Sequence, residues 1–368
     1  MKICIVSPSL NHGGAERVAS LWADGFVNRG YEVIFVANKE EEEVYSLGKN
    51  VPLLPLTDSK GNKIFRYLEA IKRLRGYYKK HRPDVIIGVM YACSFLAKLS
   101  ELGLGIPVVN TEHNSFERPK QQPMSWIDKI SKFCVNYMYD AVTVLTEADY
   151  KIIKNRFKSV FILPNPTFLK PLEMVPARQK VLLAAGRLDA WYYKGFDLLI
   201  RAWANVVSSR KPQVSSEGWR LQIAGTGSEE SLEYLKQLCK ENGVEDTVDF
   251  LGFRTDIEEL YKQSEIFVLS SRYEGFGMVL VEAMSQGCAC VVCDYKGRQR
   301  EIITDNSMGL CCEPDDVESL SNQMEYMIVH DDYRRTVQKE SVKRSWNYSI
   351  DNVLNRWDDI FSQLSLNK

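Results

Sequence analysis

The chain has 368 residues, of which 45% are hydrophobic and 26% charged, and its formal net charge is −1. A chain of this length can bury a large core and is expected to form two domains. It contains no run of about 18 apolar residues, and its start lacks the pattern of a signal peptide, so we expect no membrane-spanning helix and no leader. Nine cysteines without disulfide-type spacing favour reduced thiols and a cytoplasmic location.

Charge is distributed unevenly along the chain. Residues 1–170 carry 24 Lys and Arg against 17 Asp and Glu, whereas residues 171–368 carry 23 against 31. Residues 60–82 hold nine of the basic side chains, and apolar residues recur among them at helical spacing. The segment predicts a basic amphipathic helix, which either packs on the core with a solvated basic face or contacts anionic lipid or a lipid diphosphate. No motif for nucleic acid accompanies it.

Short apolar runs alternate with segments of helical period along the whole chain, which is typical of parallel α/β sheets. A helix is predicted over 14–28, ending at Gly30. Strands are predicted at 3–7, 31–37, 84–89, 106–110, 141–145 and 159–163, and again at 181–186, 220–225, 247–250, 266–270 and 288–293.

The alternation starts twice, on either side of a proline-rich segment at 163–179. We therefore predict two Rossmann-like doubly wound domains, 1–170 and 171–345, followed by an amphipathic helix at 346–368 that packs back on the first domain. Ligands of open parallel sheets bind at the carboxyl ends of the strands, so two such sheets facing a central cleft would place the chemistry on the loops after strands.

The loop after the first strand reads SPSLNHGGAERV and places Gly13 and Gly14 at the turn into a helix. Backbone N–H groups at such a turn can approach a phosphate, because the helix dipole favours negative charge there. The pattern is not G-x-G-x-x-G, which counts against a dehydrogenase.

The second half opens with VLLAAGRLDAWYYKGFDLL, in which Gly186 and Arg187 follow a strand and Lys194 precedes the next helix. An Arg and a Lys in these places can clamp a diphosphate and neutralise the charge that develops as it leaves. The turn IAGTGSEE, with Gly225 and Gly227, also fits close approach to a phosphate or ribose.

The sharpest motif is SRYEGFGMVLVEAMSQG at 271–287. Glu274 precedes a Gly-Phe-Gly turn, where a carboxylate can accept sugar hydroxyls. The turn would aim four backbone amides outward as anion donors, those of Phe276, Gly277, Met278 and Val279. Glu282 follows among apolar residues, where a ribose diol would satisfy its carboxylate.

Together these motifs resemble glycosyltransferase family 4 of the GT-B fold, the group 1 glycosyl transferases. The resemblance runs through N-H-G-G-A-E-R, G-R-L followed by K-G, V-D-F-L-G at 248–252 and E-G-F-G-x-x-x-x-E-A-M. It also covers T-E-H-N-S, which contains His113. One departure is the spacing of the clamp, since Lys194 follows Arg187 by seven residues where most relatives have five.

The resemblance implies a retaining glycosyltransferase that moves a hexose or N-acetylhexosamine from a nucleoside-diphosphate sugar, with UDP favoured, to a lipid-linked or polysaccharide acceptor in cell-envelope glycan synthesis. It implies that Arg187 and Lys194 hold the diphosphate, Glu282 the ribose and Glu274 the transferred sugar. His113 would face the donor sugar. Gly13 and Gly14 would line the opposite wall, and Phe253 or Arg254 would lie by the nucleobase.

No cofactor or metal is expected, because the chain has no Asp-x-Asp and the GT-B pattern holds the diphosphate without a metal. Peripheral contact of residues 60–82 with the inner face of the membrane stays one of the two interpretations of that basic helix, beside packing on the core. Two alternatives remain open: a nucleotide-sugar 2-epimerase of the same fold, and a catalytically silent nucleotide-sugar binding module. The four histidines are few for the epimerase, and the complete set of site residues argues against the silent module.

Overall fold

The computed structural model describes residues 1–11, 13–38, 45–58, 62–120, 123–209 and 218–366. The chain divides into two compact units. The first comprises Met1–Pro166 and Ile350–Lys368, and the second comprises Thr167–Ser349. Each unit is built on a parallel β-sheet.

The sheet of the first unit has, among the described residues, seven strands in the order β3-β2-β1-β4-β5-β6-β7. Its strands are β1 (Lys2–Val6), β2 (Glu32–Ala37), β3 (Leu53–Pro55), β4 (Val85–Val89), β5 (Val108–Thr111), β6 (Ala141–Val144) and β7 (Val160–Ile162). Its helices are Gly14–Asn28, Lys63–His81, Met90–Glu101, Trp126–Phe133, Glu147–Ile153 and Ile350–Leu366. The central strands β1, β4 and β5 are buried along almost their whole length because helices cover both faces of a parallel sheet.

The sheet of the second unit follows the same plan, with six strands among the described residues in the order β10-β9-β8-β11-β12-β13. Its strands are β8 (Gln179–Ala185), β9 (Arg220–Ala224), β10 (Val248–Gly252), β11 (Ser264–Leu269), β12 (Ala289–Cys293) and β13 (Leu310–Cys312). Its helices are Trp191–Lys194, Phe196–Ser208, Glu229–Glu241, Ile257–Gln263, Met278–Ser285, Val317–Val329 and Asp331–Ser345.

The predicted fold class of two doubly wound parallel sheets is confirmed. Every predicted strand is present, with ends that differ by at most two residues. Strands β3 and β13, of three residues each, were missed. The predicted helix at 60–82 begins at Lys63, and residues 60–61 lie outside the described part of the chain.

Seven of the nine cysteines are buried, where the thiol packs as a small apolar side chain: Cys4, Cys93, Cys239, Cys288, Cys290, Cys293 and Cys312. Among the described residues, no helix combines the length and the hydropathy needed to cross a bilayer.

The last helix, Ile350–Leu366, belongs to the first unit. Trp357 on this helix is fully buried, and its ring meets the ring of Trp22 edge-on at 5.2 Å. At the rim of this contact, Arg29 donates to the carboxylate of Asp358 at 2.6 Å. The chain therefore returns to complete the core of the unit in which it began.

Replacement of Trp357 by Ala should lower the free energy of unfolding by about 3–5 kcal/mol, because it leaves a large cavity under the helix Gly14–Asn28. Urea unfolding followed by circular dichroism measures the change. The matched control is Trp126→Ala in the same unit, since Trp126 is 71% exposed and its loss should change stability by less than about 1 kcal/mol. Equal losses in the two variants would contradict the assigned burial.

Candidate functional site

In each sheet the strand order reverses beside the first strand of the unit, and the carboxyl ends of the strands at such a reversal are where doubly wound folds bind ligands. The reversal lies between β1 and β4 in the first unit and between β8 and β11 in the second. The loops after β8 and β11 carry the predicted residues Arg187, Lys194 and Glu274. The sequence pattern and the topology thus indicate the same edge of the second sheet.

Lys194 and Glu274 meet at this edge. The Lys194 ammonium lies 2.6 Å from Glu274 Oε1, and the side chains are 26% and 13% exposed. The hydroxyl of Ser271 donates to the same carboxylate oxygen at 2.8 Å. A cation that can hold a phosphate and a carboxylate that can accept sugar hydroxyls are therefore side by side.

Part of the longer segment between Arg187 and Lys194 forms a single helical turn, Trp191–Lys194. This turn brings the side chain back to the end of β8, where a Cβ added to Gly186 would lie 3.3 Å from Lys194 Cδ. Arg187, next to Gly186, is exposed. The longer loop has thus kept the lysine beside the strand end from which the arginine projects.

Sequence reasoning missed Arg272, which fastens the two loops of the site together. Its guanidinium donates to both carboxylate oxygens of Asp197, at 2.7 and 2.9 Å, and to the carbonyl of Tyr192 at 2.6 Å. It also pairs with Asp315, and it lies over the ring of Tyr192 at 4.2 Å from the centroid. Its partners lie far away in sequence, so no local pattern indicated this role.

Gly195 follows Lys194 with a φ of 66°, and a Cβ at this position would lie 1.9 Å from the carbonyl oxygen of Ser270. The hydroxyl of Ser270 in turn donates to the carbonyl of Lys194 at 2.8 Å. The backbone that carries Lys194 therefore lies directly against the backbone that leads to Glu274, and only glycine permits the approach.

The helix Met278–Ser285 begins at Gly277, whose φ of 93° places it in the left-handed region. No acidic residue lies in its first turn, so the amide end carries no internal countercharge. Phe276 beside it is buried and packs against Tyr348 at 5.6 Å. The predicted amide donors, those of Phe276, Gly277, Met278 and Val279, thus belong to a fixed helix start.

Glu282 is 6% exposed on this helix, and its carboxylate accepts a hydrogen bond from the Tyr261 hydroxyl at 3.2 Å. Burial, together with the nearby Glu282 carboxylate, raises the pKa of Tyr261 well above its usual value, so the tyrosine remains a donor. The buried carboxylate therefore has an internal partner, and its contact with a ribose stays a prediction.

The remaining glycines of this edge have steric reasons of their own. A Cβ at Gly225 would lie 1.8 Å from the carbonyl oxygen of Gly186, and one at Gly227 would lie 2.7 Å from the amide nitrogen of Asp189. After β10, Phe253 is 65% exposed and Arg254 pairs with Asp256 at 2.6 Å. Their predicted contacts with a donor stay predictions.

In the first unit, His113 follows β5 and is partly buried. Its Nε2 lies 3.0 Å from the Thr111 hydroxyl and its Nδ1 lies 3.2 Å from the side-chain oxygen of Asn165. The Trp22 ring packs beside it at 5.6 Å. Burial lowers the pKa of His113 to about 4, so the imidazole is neutral near pH 7.

The neutral ring carries a single N–H, and the tautomer decides which neighbour receives it. With the proton on Nδ1, the ring donates to the side-chain oxygen of Asn165 and Nε2 accepts from the Thr111 hydroxyl. With the proton on Nε2, the ring donates to the Thr111 hydroxyl, which in turn donates to the carbonyl of Gly88 at 3.0 Å. His113 would bind a sugar hydroxyl by exchanging one of these two partners.

A buried ion pair supports the loop that carries His113. Lys132 Nζ lies 2.9 Å from Glu112 Oε2, and these side chains are only 6% and 5% exposed. Lys132 also donates to the carbonyl of Asn114 at 2.8 Å, and the amide of Asn110 donates to Glu112 at 3.1 Å. Residues on both sides of His113 are thus fixed.

The predicted glycine turn of the first unit lies where expected. Gly13 is the N-terminal cap of the helix Gly14–Asn28. The Glu16 carboxylate lies over it, because a Cβ at Gly13 would be 1.7 Å from Glu16 Oε2. An anion that bound here would have to displace that carboxylate, and the phosphate contact of Gly13 and Gly14 stays a prediction.

With this geometry in place, comparisons with known proteins identify the class. The model of the family described as glycosyl transferases group 1 matches residues 170–344, and that of glycosyltransferase family 4 matches residues 12–170. The two models together account for residues 12–344. The chain belongs to the group 1 and family 4 glycosyltransferases, as the sequence motifs predicted, and it is a glycosyltransferase.

Two relatives match over nearly their whole length. The amylovoran biosynthesis glycosyltransferase AmsD of Erwinia amylovora is 28% identical over 96% of this chain and 97% of its own. An α-1,4-N-acetyl-D-galactosaminyltransferase of Campylobacter jejuni, named for an undecaprenol-linked glycan, is 25% identical over 99% of both chains. The structure of Anabaena HepE with UDP and glucose shares the fold, with a TM-score of 0.78, 19% identity and coverage of 99% and 100%. The predicted GT-B fold is confirmed.

Replacement of Gly195 by Ala should lower kcat/KM at least about tenfold, because the new Cβ would push the Lys194 backbone away from Ser270. Donor-sugar hydrolysis measures the loss. Gly243→Ala is the matched control, since Gly243 has a φ of 67° and no atom within 4 Å of its would-be Cβ. The two glycines have nearly the same positive φ and differ in the space around the added Cβ, so equal activity in the two variants would contradict the steric explanation.

Acidification should destabilise the first unit through His113. The pKa of His113 is about 4 in the folded chain and about 6.5 in the unfolded chain. As the pH falls below 6.5, the unfolded chain takes up a proton that the folded chain does not bind, and this favours unfolding. Between pH 7 and pH 5 the wild type should lose about 1–2 kcal/mol more unfolding free energy than His113→Gln. Urea unfolding at both pH values measures this, and the two proteins should show no such difference between pH 7 and pH 8.

Proposed function

We propose that this glycosyltransferase moves a hexose or N-acetylhexosamine from a nucleoside-diphosphate sugar, with UDP as the nucleotide, to a lipid-linked or polysaccharide acceptor, and that it retains the anomeric configuration. The proposal depends chiefly on the contact between Lys194 and Glu274 at the strand reversal of the second sheet. In the absence of a ligand these two groups neutralise each other, and a donor sugar diphosphate would offer each a new partner.

The relatives support the substrate classes. AmsD is named for amylovoran biosynthesis, and the Campylobacter jejuni enzyme is named for an acceptor that carries a diphosphate and undecaprenol. HepE, which shares the fold, binds UDP and glucose. By this likeness we assign the chain to bacterial cell-envelope glycan synthesis, with a nucleotide-sugar donor.

In the proposed reaction, Lys194 and Arg187 bind the diphosphate and stabilise the negative charge that develops when the bond to the sugar breaks. Each cation would contribute about 3 kcal/mol of transition-state stabilisation, by analogy with the loss of one oxyanion-hole donor. The leaving diphosphate oxygen takes the proton of the acceptor hydroxyl, which attacks the anomeric carbon from the same face. This geometry accounts for retention without an enzymic nucleophile.

The other residues of the second unit would orient the donor. Glu274 accepts hydroxyls of the transferred sugar once Lys194 has turned to the phosphate. Glu282, with Tyr261 behind it, binds the ribose. The amide end of the helix Met278–Ser285 faces the negative charge of the donor, because four N–H groups at a helix start lack intrahelical partners.

The neutral His113 in the first unit offers one N–H and one lone pair, which suit a sugar hydroxyl rather than a phosphate. We further propose that catalysis needs no metal and that the enzyme works at the inner face of the membrane, with the basic helix Lys63–His81 in contact with anionic lipid.

The function is tested by incubating the enzyme with UDP-, GDP- and ADP-sugars, with and without EDTA, and measuring released nucleotide. We expect release from one UDP-sugar that EDTA does not change. Release from a GDP- or ADP-sugar instead would overturn the nucleotide assignment. Loss of release with EDTA would overturn metal independence, and failure of all donors to bind would overturn the donor site.

Two variants test the proposed roles in the same assay. Lys194→Ala should lower kcat at least about a hundredfold, in line with the loss of about 3 kcal/mol. Glu274→Ala should abolish transfer and leave nucleotide binding nearly intact, whereas a parallel loss of nucleotide binding would contradict its role at the sugar. Lys339→Ala, an exposed lysine on the helix Asp331–Ser345, is the control and should retain wild-type activity.

A further inference from the structure

The helix Trp126–Phe133 presents its apolar side to solvent and its polar side to the protein. Ser131 and Lys132 are buried, while Trp126 is 71% exposed, Ile127 48% and Ile130 47%. Most surface helices of globular proteins bury the apolar stripe instead. The sequence pattern of this helix is amphipathic, yet the helix is docked with the opposite face inward.

Contacts of Lys132 fix this orientation. Its ammonium pairs with Glu112 at 2.9 Å and lies 4.2 Å from the centroid of the Phe116 ring. At the other end of the helix, the Ser125 hydroxyl caps the amide of Asp128 at 3.0 Å. The helix cannot rotate to bury Trp126 without breaking a buried ion pair, so the apolar side chains remain outside.

The exposed side chains continue into an apolar groove of about 480 Å³. The helices Lys63–His81 and Met90–Glu101, together with Val135, form the rest of its lining. The lining side chains include Tyr67, Ile71, Tyr91, Phe95, Trp126 and Ile130. Contiguous exposed apolar surface of this kind marks a site of interaction with a partner or a membrane.

The helix Lys63–His81 supplies both apolar and basic groups beside the groove. Phe65 and Leu68 are 67% and 58% exposed. Lys72 and Lys79 are also exposed, and they follow Leu68 by four and eleven residues, so they lie on the same side of the helix. Lysines next to apolar side chains suit the headgroup region of an anionic bilayer, whereas lysine is depleted from protein–protein interfaces.

We propose that these two helices form a membrane-docking surface for an anionic phospholipid bilayer, into which Trp126, Ile127 and Ile130 insert while Lys72 and Lys79 bind the lipid headgroups. The proposal rests on the proposed transfer at the membrane and extends it, because it assigns insertion to the helix Trp126–Phe133 rather than to the basic helix. The Trp126 ring, with its apolar body and single N–H, is suited to the boundary between headgroups and acyl chains.

The test uses the full-length enzyme and vesicles of phosphatidylcholine with or without phosphatidylglycerol. We expect co-sedimentation with the mixed vesicles, a blue shift of tryptophan fluorescence on binding, and quenching by brominated lipid. The blue shift and the quenching should be absent in Trp126→Phe. An unchanged spectral shift and unchanged quenching in that variant would overturn insertion at Trp126.

Substitutions separate insertion from charge attraction. The triple variant W126S/I127S/I130S should bind mixed vesicles at least about tenfold more weakly, because it removes the inserted apolar area. Trp346→Ser, at a tryptophan 42% exposed in the second unit, is the control and should bind as the wild type does. The double variant K72E/K79E should lose at least about tenfold in affinity, whereas K236E/K339E, with the same charge change at exposed lysines of the second unit, should lose less.

Three results would overturn the proposal: no binding of the wild type to mixed vesicles, equal binding to vesicles without phosphatidylglycerol, or wild-type binding by the serine variant. Loss of self-association in the serine variant with unchanged vesicle binding would instead assign the surface to a second copy of the chain. Hydrolysis of the donor in the absence of vesicles should be unchanged in the serine variant. Failure of docking is therefore distinguishable from failure of the proposed donor chemistry.

Discussion

The ion pair between Lys194 and Glu274 is the contact on which the site of the second unit depends. It joins the loop after β8 to the loop after β11, and these strands are neighbours in space although they are separated by two other strands in sequence. The guanidinium of Arg272 fastens the same two loops from behind through Asp197. A cation and a carboxylate are thus held at one point by the sheet topology rather than by local sequence.

In the first unit, buried polar groups hold His113 and the loop around it in place. His113 is held neutral by burial, and the residues around it are tied down through Glu112 and Lys132. A buried ion pair of this kind contributes little net stability, because desolvation of both charges offsets their attraction. The role of the ion pair is to position other groups. Through Lys132 it fixes the loop at His113 and determines which face of the helix Trp126–Phe133 is exposed to solvent.

Much of this architecture could be predicted from the sequence, because strands buried on both faces leave continuous apolar runs and strand ends leave glycines. The motifs also placed Arg187, Lys194, Glu274 and Glu282 at the ends of strands or in the helix that follows, and their roles at a donor stay predictions. Two features could not be predicted. Arg272 contacts residues that are distant in the chain, so no local pattern predicts its role. The periodicity of the helix Trp126–Phe133 predicts an apolar and a polar face but does not predict which of the two is buried.

Two glycines of the second unit are required for different structural reasons. Gly225 is required because a Cβ would strike the carbonyl of Gly186, and this reason holds with or without a donor. At Gly277 the nearest atom to an added Cβ is a flexible leucine carbon at 3.4 Å, so the requirement there is the φ of 93° that starts the helix Met278–Ser285. The first glycine packs two loops together and the second aims backbone amides. Contact of either glycine with a donor stays a prediction.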